Sequence, residues 1–205
     1  MRSRTIGTLL MTLSVVACGL SDSVIVRSKP ISAKKEKVVS SIHRIVGAND
    51  EGFVTGSAVE GATATLQRTD GGLKINIHTT DLLPGAYTIW WAFYNYPENC
   101  VGPCGFDDDF VPAVGSFWTN ATGKVISNGD SANFAAHVDV GGPFGEVIVD
   151  GPGLANPSGA EVQLVIRYHG PAIPGIIEEQ TSTFLGGCPD GGPPCQDMQF
   201  IRFEP

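Results

Sequence analysis

The residues of this chain that bear chemistry are few: four histidines, five cysteines, a Trp-Trp pair and one run of three aspartates. His43, His78, His137 and His169 are widely separated, so no HxH or HxxxH pair offers a ready metal site. His78 and His137 fall on the polar side of alternating segments, where a lone histidine is ordinarily solvated. His169 ends a strong strand pattern just before Gly170-Pro171, and a loop there would hold its ring beside Glu178 or Glu179. His137 and His169 are therefore the candidate histidines for a ligand, a histidine–carboxylate pair or a metal. Trp90 and Trp91 must point to opposite faces of a regular strand. One is then core, and the other is free to stack on a sugar or an apolar ligand. Asp107, Asp108 and Asp109, with Asn95, Glu98 and Asn99 nearby, carry enough oxygens for calcium, but the D-x-D-x-D-G register of a calcium loop is missing. No other cofactor is implied. G-x-S-x-G, H-E-x-x-H, P-loop and G-x-G-x-x-G patterns are absent from the sequence.

Cysteine usage points to export. Arg2 and Arg4 precede an apolar run, Ile6 to Val16, too short to span a bilayer, so residues 1–17 read as a signal peptide. The run ends in Val15-Val16-Ala17-Cys18-Gly19, which resembles a bacterial lipobox. That implies lipidation of Cys18 and a membrane partner through the lipid. Gly19 is not an inner-membrane retention aspartate, so sorting to an outer membrane is expected if there is one. Cys100, Cys104, Cys188 and Cys195 remain, an even number in an oxidising compartment. Of three connectivities, Cys100–Cys104 with Cys188–Cys195 is preferred, because each pair flanks Gly and Pro suited to a tight loop. A four-cysteine zinc site is the competing reading, although the CxxxC and Cx6C spacings suit it poorly.

Charge separates the tail from the body. Residues 18–37, a Ser/Lys-rich linker, hold Arg27, Lys29, Lys34, Lys35 and Lys37 against Asp22 and Glu36. Residues 38–205, expected as a single domain, hold 6 basic against 19 acidic groups, a net of −13. Such acidity excludes nucleic acid as a partner.

The elements that must carry these groups read as strands. Leu73 to Thr79 alternates cleanly, with Leu73, Ile75 and Ile77 on one face and Lys74, Asn76 and His78 on the other. It follows Gly61 to Arg68 through Thr69-Asp70-Gly71-Gly72, a hairpin turn. After Leu82-Leu83-Pro84-Gly85, the segment Ala86 to Tyr94 is apolar on both faces, as in a central strand covered twice or covered once and used once for binding. Further strands are expected at Ser41–Val46, Val114–Thr119, Lys124–Ser127, Ala132–Val140, Glu146–Val149, Glu161–His169 and Gln196–Phe203, with Asn128-Gly129-Asp130 as a second hairpin turn. No helical period is sustained. About eight to ten strands predict an all-β fold, an antiparallel β-sandwich of Greek-key type, with a closed β-barrel as the alternative.

Asp81-Leu82-Leu83-Pro84-Gly85 and the aromatic strand after it resemble the G-L-x-P-G-x-H-G-F-H-x-H segment of copper/zinc superoxide dismutases, and the related strand of chordin-type domains. The resemblance covers about two dozen residues and implies a superoxide-dismutase-like or immunoglobulin-like sandwich. It places the family's metal histidines at Trp90 and Ala92, which cannot bind copper, and so argues against dismutase activity. YTIWWAFYNYPENC and RYHGPAIPG also resemble stretches of uncharacterised exported bacterial proteins. The expected function is a non-enzymatic, envelope-anchored binding module for a small ligand, glycan or protein. The alternatives are an enzyme with a site near His169, or a purely structural envelope component.

Overall fold

The structure is a computed structural model that describes residues 36–205. The predicted signal peptide, Cys18 and nearly all of the predicted linker lie outside the described residues. Eleven strands run β1 (Glu36–Ser40), β2 (His43–Asn49), β3 (Gly52–Ala58), β4 (Thr63–Thr69), β5 (Gly72–Leu82), β6 (Gly85–Tyr94), β7 (Ser116–Ile126), β8 (Asp130–Asp139), β9 (Val147–Val149), β10 (Glu161–Tyr168) and β11 (Gln196–Phe203), with one short helix, α1 (Ile177–Ser182). They form two antiparallel sheets, β1-β4-β5-β8 and β3-β2-β11-β10-β6-β7-β9. This is the expected all-β sandwich. It is not a closed barrel, because each sheet keeps its own edges.

Alternation decides what lies between the sheets. Leu73, Ile75 and Ile77 of β5 meet Tyr87, Ile89, Trp91 and Phe93 of β6 in one hydrophobic core. Ala64 and Leu66 of β4 and Leu164 and Ile166 of β10 join them. Each such side chain contributes about 1.5–3 kcal/mol by leaving water. The opposite face of β6 is covered too, by loops rather than by a sheet, which is why this strand is buried along its whole length.

Several expectations change. Glu36 and Lys37, inside the stretch read as linker, are already strand, since β1 pairs with β4 from Glu36↔Arg68 onward. A strand with no counterpart among the expected ones, β3, follows β2 through the Asp50-Glu51 turn. The two segments expected at Val114–Thr119 and Lys124–Ser127 are one strand, β7. Asn128-Gly129-Asp130 does make a turn, but not a hairpin: β7 pairs with β6 and β8 pairs with β5, so the chain changes sheets there.

Two close approaches fix the loop layer on the large sheet. Gly85 has φ +154°, and a Cβ on it would lie 2.3 Å from the Gly170 carbonyl oxygen. A Cβ on Gly123 would lie 2.0 Å from the Thr181 carbonyl, so α1 rests directly on β7. At the other end of the sandwich, buried Arg68 donates to the carbonyls of Pro157, Ala160 and Glu204, tying the Pro/Gly loop and the C-terminus to β4.

Candidate functional site

The parity of β6 sets the site. Trp91 faces the inter-sheet core, so Trp90 stands on the outer face of the seven-stranded sheet. Across the sheet Trp90 pairs in register with Val165 of β10. Trp118 of β7, next to core-facing Phe117, lies on the same outer side and opposes Val149 of β9. These four side chains floor a cavity of about 270 Å3. Its walls come from separate parts of the chain: Phe53 from β3, Phe106 and Asp109 from the loop after β6, Ile148 from β9, and Phe184 after α1. The aromatic walls brace one another. Phe53 meets Phe106 edge-on at 4.9 Å between centroids, and Phe184 meets Trp90 edge-on at 5.3 Å.

Two carboxylates reach this cavity and differ in their surroundings. Asp197 is neutralised by the nearly buried Arg167 guanidinium, whose Nη1 is 2.7 Å from its Oδ1. Arg167 also donates to the Phe184 carbonyl and lies 3.9 Å from the Phe184 ring centroid, so it holds that wall in place. Asp109 has only neutral donors: its Oδ1 accepts from Trp118 Nε1 at 2.8 Å and from Ser116 Oγ at 3.0 Å. Burial pushes the Asp109 carboxyl above its ordinary pKa despite these bonds, and the neighbouring Asp108 pushes in the same direction.

Beneath Trp90 runs a hydrogen-bonded chain. Trp90 Nε1 donates to Thr88 Oγ1 at 2.8 Å, and Thr88 Oγ1 lies 2.7 Å from His169 Nε2. His169 Nδ1 lies 2.9 Å from the Gly186 carbonyl oxygen. That carbonyl can only accept, so Nδ1 carries the proton, Nε2 is the acceptor, and the Thr88 hydroxyl donates to it. His169 is fully buried, and burial holds its pKa below the ordinary histidine value, with Arg167 adding to the effect. The Glu178 and Glu179 partners expected for it are exposed on α1, and the loop backbone takes their place.

The other expected site residues part company. Trp91 and His137 border a separate cavity of about 140 Å3 on the β7–β8 side, away from His169. There the buried Thr119 Oγ1 and Asn120 Nδ2 have no protein partner, the kind of groups that ordered water satisfies. His137 is exposed, paired across the strands with Lys74. The two histidines therefore do not share a pocket. Cys100 bonds Cys104 and Cys188 bonds Cys195, the preferred connectivity, which leaves no four-thiolate zinc site. Among the described residues, the clusters of potential metal ligands are His169 with Cys188 and Cys195, and Asp108 with Cys100 and Cys104. Both depend on sulfurs already bonded to each other.

Asp107, Asp108 and Asp109 do not converge as calcium ligands. Asp107 is exposed, Asp108 Oδ2 accepts from the Gly105 N–H, and Asp109 turns to Trp118. Asn95 is equally committed: its amide donates to the Gly115 and Gly153 carbonyls and accepts from the Ala155 and Asn156 N–H groups. Sequence reasoning missed Trp118, Phe53, Phe106 and Phe184. Only Trp118 left a signal, in the Phe117-Trp118 step that repeats the inside–outside parity of Trp91 and Trp90.

Comparison of the chain with family models, with curated proteins and with solved structures finds no match.

Proposed function

We propose that the protein is a non-catalytic binding module of the bacterial envelope, tethered by lipid on Cys18, whose ligand site is the aromatic cavity over Trp90. The observation that supports this reading is the cavity itself. Five aromatic side chains drawn from five separate segments surround one space on the outer face of the large sheet. The apolar lining with few polar groups is the usual make-up of a small-molecule site, and the volume suits a compact ligand. No Ser, Cys, His or Lys lines it, and its two carboxylates are held by Trp118 and Ser116 or by Arg167. The arrangement suits recognition more than bond making.

The neutral fluorophore N-phenyl-1-naphthylamine tests the cavity. Saturable binding with enhanced emission is expected. Ala48→Trp should abolish it, because Ala48 is an exposed residue at the cavity edge where an indole fills the space. Absence of saturable binding, or binding indifferent to Ala48→Trp, would overturn the assignment. The tether is tested separately by labelling cells with a palmitate analogue. Label should enter the wild type and not Cys18→Ala, and equal incorporation would remove the anchor from the proposal.

A further inference from the structure

The charge of the aromatic cavity is not balanced. Among the described residues the salt bridges are Arg44–Asp81, Arg167–Asp197 and Arg202–Glu161, so Asp197 has a cation and Asp109 has none. The donors around Asp109 are uncharged: Trp118 and Ser116 on Oδ1, with the Tyr94 hydroxyl also beside the carboxylate. Beside this carboxylate stand the aromatic rings of Trp118, Phe106, Trp90 and Phe184, whose faces carry negative potential.

We propose that the cavity recognises a compact organic cation, a quaternary or protonated alkylammonium group, with Asp109 as its counter-ion. The inference rests on the cavity being the ligand site and adds the chemical class of the ligand. An anion would meet both the carboxylate and the ring faces. A neutral apolar ligand gains from the apolar walls but strips water from Asp109 and returns nothing to it, so it binds more weakly than a cation of the same shape. A cation satisfies both features at once, and the wall already shows the interaction, since the Arg167 guanidinium lies over the Phe184 ring. Arg167 does not repel the ligand strongly, because Asp197 cancels its charge at 2.7 Å. The −13 net charge of residues 38–205 draws cations toward the domain from a distance. At about 270 Å3 the space takes a trimethylammonium head and a short chain, and excludes a folded basic peptide.

Choline and its neutral isostere 3,3-dimethyl-1-butanol separate the two layers of the argument. Calorimetric titration should show choline binding the wild type at least about tenfold more tightly, as expected for a desolvated cation against aromatic faces and a carboxylate. The indole N–H signal of Trp118, the donor to Asp109, should move on choline addition. Asp109→Asn should bring the two ligands to within a factor of about two of each other. Equal affinity of the wild type for both overturns the cation, while leaving the cavity reading intact if N-phenyl-1-naphthylamine still binds. Failure of choline, isostere and fluorophore together sinks both. Choline binding unaffected by Ala48→Trp places the cation elsewhere and also overturns the inference. Vesicles distinguish the source. Retention on phosphatidylcholine but not phosphatidylglycerol vesicles marks a lipid headgroup, and choline binding without retention marks a free cation.

Discussion

Trp91→Ala is expected to lower the free energy of unfolding by about 3–5 kcal/mol, the range for deleting a large aromatic side chain from a packed core. Trp91 is 1% exposed and packs at 5.3 Å against the Phe93 ring. It opposes Leu164 on β10 and Thr119 on β7 in register. Its indole therefore fills the middle of the space between the two sheets. Main-chain pairing holds β6 on both sides, so the strands cannot slide inward to close the gap, and most of the cavity term stays. Urea unfolding followed by far-ultraviolet circular dichroism measures the change. Phe106→Ala, at the half-buried rim of the outer cavity, is the control and should cost far less. A Trp91→Ala loss below about 1 kcal/mol, the typical effect of an arbitrary substitution, would show that the sheets do not pack about this residue.

The two-faced nature of β6 was legible because its period is two and neither set of residues is polar. Which tryptophan looks inward was not, since that depends on which face the four-stranded sheet covers. The Asn128-Gly129 step illustrates the same limit. Gly129 and Asp130 do adopt the left-handed backbone of a turn, at φ +69° and +72°. Turn chemistry is local, however, whereas the choice of partner strand is made by β5 and β6 far away along the chain. The six-residue helix α1 is too short to show a period. The three aspartates misled for a geometric reason. Phe106–Asp108 is a 3-10 turn, in which successive side chains are rotated by about 120°. Three adjacent carboxylates on such a turn radiate from it, and only Asp109 reaches the cavity. The aromatic walls come from positions 53, 106 and 184, which no spacing rule relates.

Thr88→Val should destabilise the fold by about 2–4 kcal/mol, although it changes the side-chain volume hardly at all. The Thr88 hydroxyl is the hinge of the buried chain from Trp90 to His169, accepting from one and donating to the other. A valine there leaves the Trp90 N–H and His169 Nε2 both buried and unpaired, and each carries its own desolvation cost. Thr88→Ser keeps the hydroxyl and should recover most of the loss. The burial of His169 sets a pH dependence of its own. His169 has a folded pKa below its unfolded value, so below about pH 6.5 the unfolded state binds the extra proton. Its contribution is therefore complete above that pH and is lost as the pH falls toward the folded value. Unfolding free energies of the three proteins at pH 7.5 and pH 5.5 test both statements. If Thr88→Val matches the wild type at pH 7.5, the hydroxyl does not bridge the two rings. In that case the Cys188–Cys195 loop, against which His169 packs at 3.4 Å from Cys195 Sγ, is not tied through it to the cavity floor.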